Sequence, residues 1–263
     1  MASLKLTLIG GPTALIEIGG VRLLTDPTFD GPGEYQLPYT TLVKTAGPAL
    51  GPDAVGRVDA VLLSHDQHAD NLDHAGRAFI SSASRVLTTR AGASRLGGNA
   101  QGLAVWNSAT LATPDGRRLL VTAAPARHGP AGIEPLSGDV IGFVLTLDDP
   151  AAQAVYVTGD TVWYDGVAEV GRRFHPSVVM PFAGAAQTRG PFHLTMDVND
   201  VIDTANAFPD AIIVPLHYHG WKHLTQTGED LTTSFDALGI SSRLRMLEPG
   251  VPTEIPLGGI ALG

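Results

Sequence analysis

The order of apolar and polar residues predicts short buried strands that alternate with helices along the whole chain. Short aliphatic runs are separated by glycine, proline and aspartate, a pattern typical of strands joined by turns. Strands are predicted at residues 4–9, 14–18, 21–25, 60–63, 85–89, 103–112, 117–123, 140–147, 154–157, 177–181, 211–214, 243–247 and 253–256. Helices are predicted at residues 71–78, 90–96, 166–173, 197–208 and 228–238. This alternation in two halves indicates an α/β fold, an αββα sandwich of two packed mixed sheets with helices on the outer faces.

One long segment, residues 28–56, lacks this alternation and is rich in glycine and proline. Loops of this length inside a compact domain are usually functional or mobile, so the segment is expected to be a substrate loop or lid. Its aromatic and aliphatic residues could form an apolar wall, and Lys44 would add a positive charge. A surface insertion without a catalytic part is the alternative interpretation.

Length and composition indicate a single domain with a large core. The chain has 263 residues, of which 44% are hydrophobic, and it contains neither a linker nor a short-period repeat. A single domain is therefore predicted over residues 1–263. No apolar run is long enough to span a membrane, and the N-terminus lacks the features of a signal peptide. These features predict a cytoplasmic protein.

The charge and the cysteine content limit which partners and which active-site residues the chain can have. The formal net charge is −9, which disfavours nucleic acid as a partner because an acidic surface repels phosphate backbones. The chain has no cysteine, so thiolate ligands, disulfides and a cysteine nucleophile are excluded. Histidine and the acidic residues remain as the site chemistry, with a small molecule as the expected substrate. A homo-oligomer is compatible with the sequence.

The candidate chemistry is concentrated where the predicted strand at residues 60–63 ends. His65, Asp66, His68 and Asp70 follow this strand within six positions. Such crowding of imidazoles and carboxylates is costly without a compensating ion, and this mixture suits zinc, iron or manganese. The alternative is a helix start at which Asp70 caps the following helix and the histidines are solvated.

Three later predicted strands also end in a ligand-type residue. His128, Asp160 and His217 each follow an apolar strand, so four strands are expected to bring their ends together at one edge of the sandwich. Considered separately, His128 could be a surface histidine and Asp160 the cap of the next helix. Their repetition favours a metal site.

These motifs resemble the metallo-β-lactamase superfamily, and more narrowly the hydrolases similar to ascorbate 6-phosphate lactonases. The resemblance also includes Thr13–Gly20, Thr25–Pro27, Gly159–Thr161 and Leu194–Met196. It implies a divalent metal, most often zinc, with manganese or iron as alternatives and one or two ions per chain. The implied ligands of the first metal are His65, His68 and His128. Those of the second metal are Asp70, Asp160 and His217.

The chain departs from the family pattern His-x-His-x-Asp-His in one stretch. Gln67 stands where the second histidine is expected after His65, and Asn71 stands where the last histidine is expected. One inserted residue would keep His65 as a ligand, whereas an ungapped alignment would replace it with Asp66. Both alignments lose the imidazole at Asn71, and an amide oxygen is a poorer zinc ligand. The first metal is therefore expected to be better occupied than the second.

Further histidines follow the last predicted ligand. His219 could replace His217, because the two would share one face of an extended chain. His223 and Lys222 are expected to be surface residues rather than contacts for an anionic group. His193 precedes a predicted helix, where an imidazole could contact substrate, and it is a candidate catalytic residue.

The resemblance implies a metal-dependent hydrolase that uses a metal-activated hydroxide on a small ester, lactone or related acyl compound. Asp70 would orient the hydroxide and Asp160 would accept its proton. Phosphodiester or phospholipid-type hydrolysis is one alternative, with Lys44, Arg127, Arg189 or Lys222 holding phosphate. A metal-poor binding protein without turnover is the other alternative, because Gln67 and Asn71 weaken the ligand set.

Overall fold

The computed structural model describes residues 3–149 and 153–257, so both ends of the predicted domain and residues 150–152 lie outside the described residues. The strands are β1 (Ser3–Gly10), β2 (Thr13–Ile18), β3 (Val21–Thr25), β4 (Gly33–Gln36), β5 (Thr41–Lys44), β6 (Ala60–Leu62), β7 (Val86–Thr89), β8 (Ala100–Leu103), β9 (Ser108–Ala112), β10 (Arg118–Pro125), β11 (Ile141–Leu147), β12 (Val155–Val157), β13 (Val178–Met180), β14 (Ile212–Ile213) and β15 (Thr253–Pro256). The helices are α1 (Pro52–Val55), α2 (His74–Ile80), α3 (Arg90–Leu96), α4 (Glu134–Ser137), α5 (Asp165–Phe174), α6 (Val198–Ala207) and α7 (Gly228–Ala237), with a 3-10 helix at Ser241–Arg243.

Two mixed sheets form the body of the fold. The first sheet has the strand order β15-β1-β2-β3-β6-β7-β8, and the second has the order β14-β13-β12-β11-β10-β9. The first sheet is antiparallel from β15 to β3 and parallel from β3 to β8. The second is antiparallel from β9 to β12 and parallel from β12 to β14. The predicted αββα sandwich is confirmed.

Alternation of side chains along the strands separates one central core from two outer layers. Phe143 and Leu145 of β11 point into the core between the sheets, whereas Val144 faces the helices. The outer face of the second sheet is covered by α5, α6 and α7, and that of the first by α1 and α2. Each sheet is therefore buried on both faces, which explains why its parallel strands are continuously aliphatic.

Two predicted strands are wrong. The strand predicted at residues 103–112 is two strands in different sheets, β8 in the first and β9 in the second. A turn separates them, in which the N–H of Asn107 donates to the Ala104 carbonyl (2.9 Å) and Trp106 has a φ of 70°. The strand predicted at 243–247 is absent because Arg243 ends a 3-10 helix and its guanidinium donates to the Ala211 carbonyl (3.0 Å).

Two other boundaries differ from the predictions. Residues 28–56 are not wholly irregular, since they contain α1 and the hairpin of β4 and β5. The helix predicted from residue 71 begins at His74, because the Asp73 carboxylate accepts a hydrogen bond from the Gly76 N–H (2.8 Å) and caps it. Within residues 3–149 and 153–257, no helix is long and apolar enough to cross a membrane.

Candidate metal centre

Three imidazoles meet at the end of the sandwich where the strands stop. The Nδ1 atom of His68 lies 2.8 Å from Nε2 of His65 and 3.2 Å from Nε2 of His128. His65 follows β6 by three residues and His128 follows β10 by three, so both strands deliver an imidazole to the same edge. All three side chains are buried or nearly so.

Outer hydrogen bonds fix the rings of His65 and His128. The Nδ1 atom of His128 lies 2.7 Å from the Leu194 carbonyl, which can only accept, so Nδ1 carries the proton and Nε2 is left with its lone pair. The Nδ1 atom of His65 lies 2.9 Å from the Ser64 hydroxyl, which itself donates to Asp26 (2.7 Å). Ser64 can therefore accept from His65, and Nε2 of His65 is also free to bind a cation.

Asp160 lies between two groups of potential ligands. Its Oδ2 atom is 3.5 Å from Nε2 of His128 and 3.9 Å from Nε2 of His65, whereas Oδ1 is 3.8 Å from Nε2 of His217. Potential ligand atoms of His65, His68, His128 and Asp160 lie within 4.8 Å of one another, as do those of Asp70, Asp160 and His217. The two oxygens of one carboxylate thus face two candidate metal positions.

The second group is built around Asp70. Its Oδ2 atom lies 3.4 Å from Nε2 of His217 and 2.9 Å from Nε2 of His223. His217 has a left-handed backbone with a φ of 54°, which is uncommon outside glycine, and its N–H donates to the Gly11 carbonyl (2.9 Å). This contact with the turn between β1 and β2 holds the imidazole at the site.

The imidazoles of the first group are uncharged at neutral pH. Burial lowers the pKa of His68 and that of His128 to about 4, because a charged ring loses its hydration there. Burial and the neighbouring His68 and His128 hold the pKa of His65 well below its usual range. Neutral imidazole is the form that binds metal, so these three residues need not lose protons to do so.

The second group and its neighbours carry charge. Burial alone would raise the pKa of Asp70, but His223 and His217 outweigh it and hold this pKa well below its usual range. Burial raises the pKa of Asp160 to about 6, partly offset by His217, and raises that of Asp26 to about 7. Burial opposes charge on His217, yet a hydrogen bond to Asp70 and the charge of Asp160 raise its pKa. The centre is therefore rich in carboxylates that a divalent cation would compensate.

The structure brings the six predicted ligands together, whereas the residues considered as their substitutes lie elsewhere. Asp66 forms an ion pair with Arg95, with 2.9 Å between its Oδ2 and the guanidinium Nε. The ring of His219 stacks on Tyr218 with 5.0 Å between centroids and belongs to neither group. His193 pairs with Asp197 (3.0 Å) and also lies outside both groups.

Asp26 and His223 lie at the centre but were not predicted as ligands or catalytic residues. Asp26 directly follows the buried strand β3. It therefore carries the same sequence signal as the predicted ligands, a ligand-type residue at the end of an apolar strand. His223 was expected at the surface, which is wrong, because its side chain is only 9% exposed. It follows no strand, and no local pattern marks it. Lys44 was expected to serve the substrate loop, but it is buried and paired with Asp73 (2.8 Å).

A small cavity of about 20 Å³ opens onto the centre. His68, Asp70, His128 and His223 line it together with Tyr39, Leu42, Ala186, Thr188 and Leu194. The Arg189 guanidinium lies over the Tyr39 ring at 3.5 Å, so residues of two loops are in contact beside the centre. The volume is near that of a single water, which needs roughly 10–15 Å³ on such a measure.

Comparison with known proteins agrees with this architecture. The sequence matches the family described as Beta-lactamase superfamily domain over residues 21–218. The chain belongs to this superfamily. Within the superfamily, the UPF0173 protein YddR of Bacillus subtilis is 25% identical over 255 residues, which cover 94% of this chain and 98% of that protein. A UPF0173 metal-dependent hydrolase of Herpetosiphon aurantiacus is 25% identical and covers 97% of this chain and 100% of its own length.

Two solved structures share the fold at low sequence identity. An isothiocyanate hydrolase from Delia radicum gut bacteria has a TM-score of 0.83 at 23% identity, over 96% of this chain and 99% of that chain. Igni18, a metallo hydrolase from Ignicoccus hospitalis, has a TM-score of 0.71 at 20% identity, over 97% of this chain and 99% of that chain. With its relatives and its histidine and aspartate cluster, the chain is a metal-dependent hydrolase of this superfamily.

Proposed function

We propose that the chain hydrolyses a small ester, lactone or related acyl compound at a centre for two metal ions, with zinc as the preferred metal. The observation that carries this proposal is the position of Asp160, whose two oxygens face two separate groups of ligand atoms. Neutral imidazoles with a carboxylate form a donor set that suits zinc. The Nδ1 atom of His217 has no partner among the described residues, and Nε2 faces the carboxylates of Asp70 (3.4 Å) and Asp160 (3.8 Å), which also favours a cation at the second group.

Each residue has a role that follows from its chemistry. His65, His68, His128 and Asp160 would hold the first metal, and Asp70, Asp160 and His217 the second. Zinc would supply hydroxide at neutral pH, because it lowers the pKa of a bound water to about 7.

In this proposal, the carboxylates of Asp70 and Asp160 act on the attacking hydroxide. Asp70 stays ionised because its pKa is held low, so it can accept a hydrogen bond and orient the attacking hydroxide. Asp160, which lies buried between the two groups, would take or relay the proton of the hydroxide. A catalytic role for His193 stays a prediction, and its pairing with Asp197 gives it no part in these steps.

Two features favour a small uncharged or weakly charged acyl substrate. One is that Tyr39 and Leu42 form an apolar side to the cavity at the centre. The basic residues available to a phosphodiester are largely engaged, since Lys44 pairs with Asp73 and the Arg127 guanidinium lies over Tyr164 (4.6 Å). Arg189 is engaged as well, because its guanidinium lies over Tyr39 (3.5 Å) and donates to the Leu136 carbonyl (3.0 Å), which makes phosphodiester hydrolysis the weaker proposal.

The test is elemental analysis of the purified protein followed by a hydrolase screen with the metal that it contains. The panel holds aliphatic lactones, p-nitrophenyl esters and bis-p-nitrophenyl phosphate, and an isothiocyanate because a protein of this fold carries that name. We expect zinc at one to two ions per chain and turnover of an ester or lactone. Turnover of the phosphodiester or isothiocyanate alone would contradict the acyl proposal, and a metal-free protein would contradict the metal centre.

A further inference from the structure

We propose that His223 supplies the second metal position with the imidazole that Asn71 does not provide. This inference rests on the proposed metal centre and adds a ligand to it. The family pattern has a histidine where Asn71 stands, directly after Asp70. The local motif therefore lacks one nitrogen ligand. The fold brings another imidazole to this place from a residue 152 positions later in the sequence.

Asn71 is oriented toward a carboxylate rather than acting as a free ligand. Its Nδ2 atom donates to Oδ2 of Asp26 (3.3 Å), and Asp26 also accepts from the N–H of Ser64 (2.6 Å). The Oδ1 atom of Asn71 is buried without a hydrogen-bond partner among the described residues. A neutral amide oxygen is in any case a weaker ligand for zinc than imidazole.

His223 is buried and contacts Asp70 of the second group, although its nitrogens lie outside the 4.8 Å cluster that Asp70, Asp160 and His217 form. Its Nε2 atom lies 2.9 Å from Oδ2 of Asp70, the same oxygen that Nε2 of His217 approaches at 3.4 Å. Two imidazole nitrogens from different segments thus converge on one ionised carboxylate oxygen. The side chain of His223 is 91% buried, and its Nδ1 atom has no partner among the described residues, so no outer hydrogen bond commits the ring to a structural role.

The backbone on both sides of His223 is held by other parts of the fold. The N–H of Lys222 donates to the Val43 carbonyl of β5 (2.9 Å), and the N–H of Gln187 donates to the His223 carbonyl (3.0 Å). The Trp221 ring is buried and lies 6.0 Å from the His223 ring. A loop tied to two neighbours can present an imidazole at low entropic cost, as a metal ligand requires.

The experiment measures zinc binding to purified chains by competition with a chromophoric chelator, together with zinc per chain by elemental analysis. The variants are His223→Ala, His223→Gln and the double variant Asn71→His with His223→Ala. His223→Gln keeps a donor that can reach Asp70 but is a poor zinc ligand, so it separates ligation from a hydrogen bond. His74→Ala is the matched control, because that imidazole is exposed and its contacts are with Asp30 and the Tyr35 ring. Circular dichroism verifies folding.

The inference predicts that the wild-type chain binds two zinc ions. His223→Ala and His223→Gln would keep the first, and their affinity for the second would fall by more than about 100-fold. Loss of an outer partner typically costs only about 10- to 100-fold. Asn71→His should restore the second ion in the His223→Ala chain, and His74→Ala should bind as the wild type does.

Other outcomes overturn the inference. It is wrong if His223→Gln binds the second ion like the wild type, or if the wild type and His223→Ala both bind only one ion with equal affinity. The first outcome would leave the proposed two-metal centre intact, whereas the second would remove the second metal and leave only hydrolysis at the first. A wild-type chain that binds no zinc would remove the proposed function and the inference together. Unfolding of His223→Ala leaves the decision to His223→Gln and to the double variant.

Discussion

At the scale of single residues, the centre is prepared by hydrogen bonds behind the ligands. His128 is held by the Leu194 carbonyl, and His65 is held by a chain that runs through Ser64 to Asp26. These outer contacts fix which nitrogen of each ring is free, so the imidazoles are ready to bind before a cation arrives. His68 has no comparable anchor among the residues that the structure describes, and its Nδ1 atom faces both neighbouring rings.

We expect His68→Ala to weaken metal binding at the first group by more than about 100-fold and to abolish activity together with it. The reason is that Nδ1 of His68 lies at the point where the other two imidazoles converge. Elemental analysis and the hydrolase assay, run beside His74→Ala, measure both effects. A fully metallated His68→Ala chain would show that the site has been misplaced.

Asp26→Asn should stabilise the metal-free protein more at pH 8 than at pH 5. Burial raises the pKa of Asp26 from 3.8 to about 7, so between these values the folded chain holds a proton that the unfolded chain has lost. Folding stability from this carboxyl therefore falls as the pH rises through that range. Between pH 5 and pH 8, the effect of Asp26→Asn on the free energy of unfolding should therefore change by roughly 1–4 kcal/mol, at about 1.4 kcal/mol per pH unit.

Urea unfolding with a chelator present, at both pH values, measures the difference between Asp26→Asn and the wild type. The Asn side chain can still accept from the Ser64 N–H through Oδ1 (2.6 Å), whereas its Nδ2 would face the Ser64 hydroxyl and the Asn71 amide, a cost that does not depend on pH. A difference that is the same at pH 5 and pH 8 would mean that Asp26 is ionised in the fold throughout.

Prediction from sequence was effective for residues that follow a strand. His65, His128, Asp160 and His217 share one signal, an aliphatic run that ends in a metal-binding side chain, and parallel strands carry such ends to one edge. His223 has no such signal. Its position depends on backbone hydrogen bonds to β5 and to Gln187, which a local pattern cannot reveal.

At the scale of elements, helix α2 and hairpin β4–β5 are tied to the centre through one carboxylate. Asp73 caps α2, accepts from the N–H groups of Phe29 (2.9 Å) and Asp30 (2.7 Å), and pairs with the buried Lys44 of β5. The segment expected to be a free lid is thus anchored at its base. Its turn, which carries Tyr39, is the part that contacts the cavity.

Gly76→Ala should destabilise the fold by roughly 1–3 kcal/mol, although alanine normally favours a helix by about 1 kcal/mol over glycine. A Cβ atom at Gly76 would lie 1.9 Å from the Pro27 carbonyl oxygen, a backbone atom that cannot rotate away. Urea unfolding measures the change. Gly31→Ala is the control, because nothing lies within 4 Å of its added Cβ. An equal effect at both positions would refute the clash.

The elements themselves were predictable where the chain stays in one sheet. The predicted strand at residues 103–112 failed because apolar residues recur at alternate positions on both sides of the point where the chain changes sheets, Leu103 before it and Ala109 after it, so that the pattern hides the turn at Trp106. Aliphatic periodicity reports burial, and both sides of that turn are buried. It does not report which sheet a strand joins.

At the scale of the whole molecule, the centre lies where both sheets end, so a cation there would join the two halves. Asp26 and Asp70 come from the half that contains the first sheet, and Asp160 and His217 come from the half that contains the second. The buried carboxylates of Asp26 and Asp160 disfavour the metal-free fold, because they lack hydration and repel one another.

Metal removal should therefore lower the melting temperature of the whole domain. A metal at 100 times its Kd stabilises the folded chain by about 2.7 kcal/mol, which corresponds to a shift of roughly 5–10 °C for a domain of this size. Calorimetry with and without a chelator measures the shift. The same chelator should have a smaller effect on His68→Ala, and an equal shift in that variant would point to a metal bound elsewhere.

The end of the described chain protects its beginning. β15 pairs antiparallel with β1, with Thr253 opposite Leu6 and Ile255 opposite Leu4. Without this cover, β1 would present an unpaired row of N–H and C=O groups next to an aliphatic face, which is a template for joining other copies. Truncation before Thr253 would therefore expose an unpaired strand edge. We expect the truncated protein to aggregate and to elute in the void volume of a size-exclusion column.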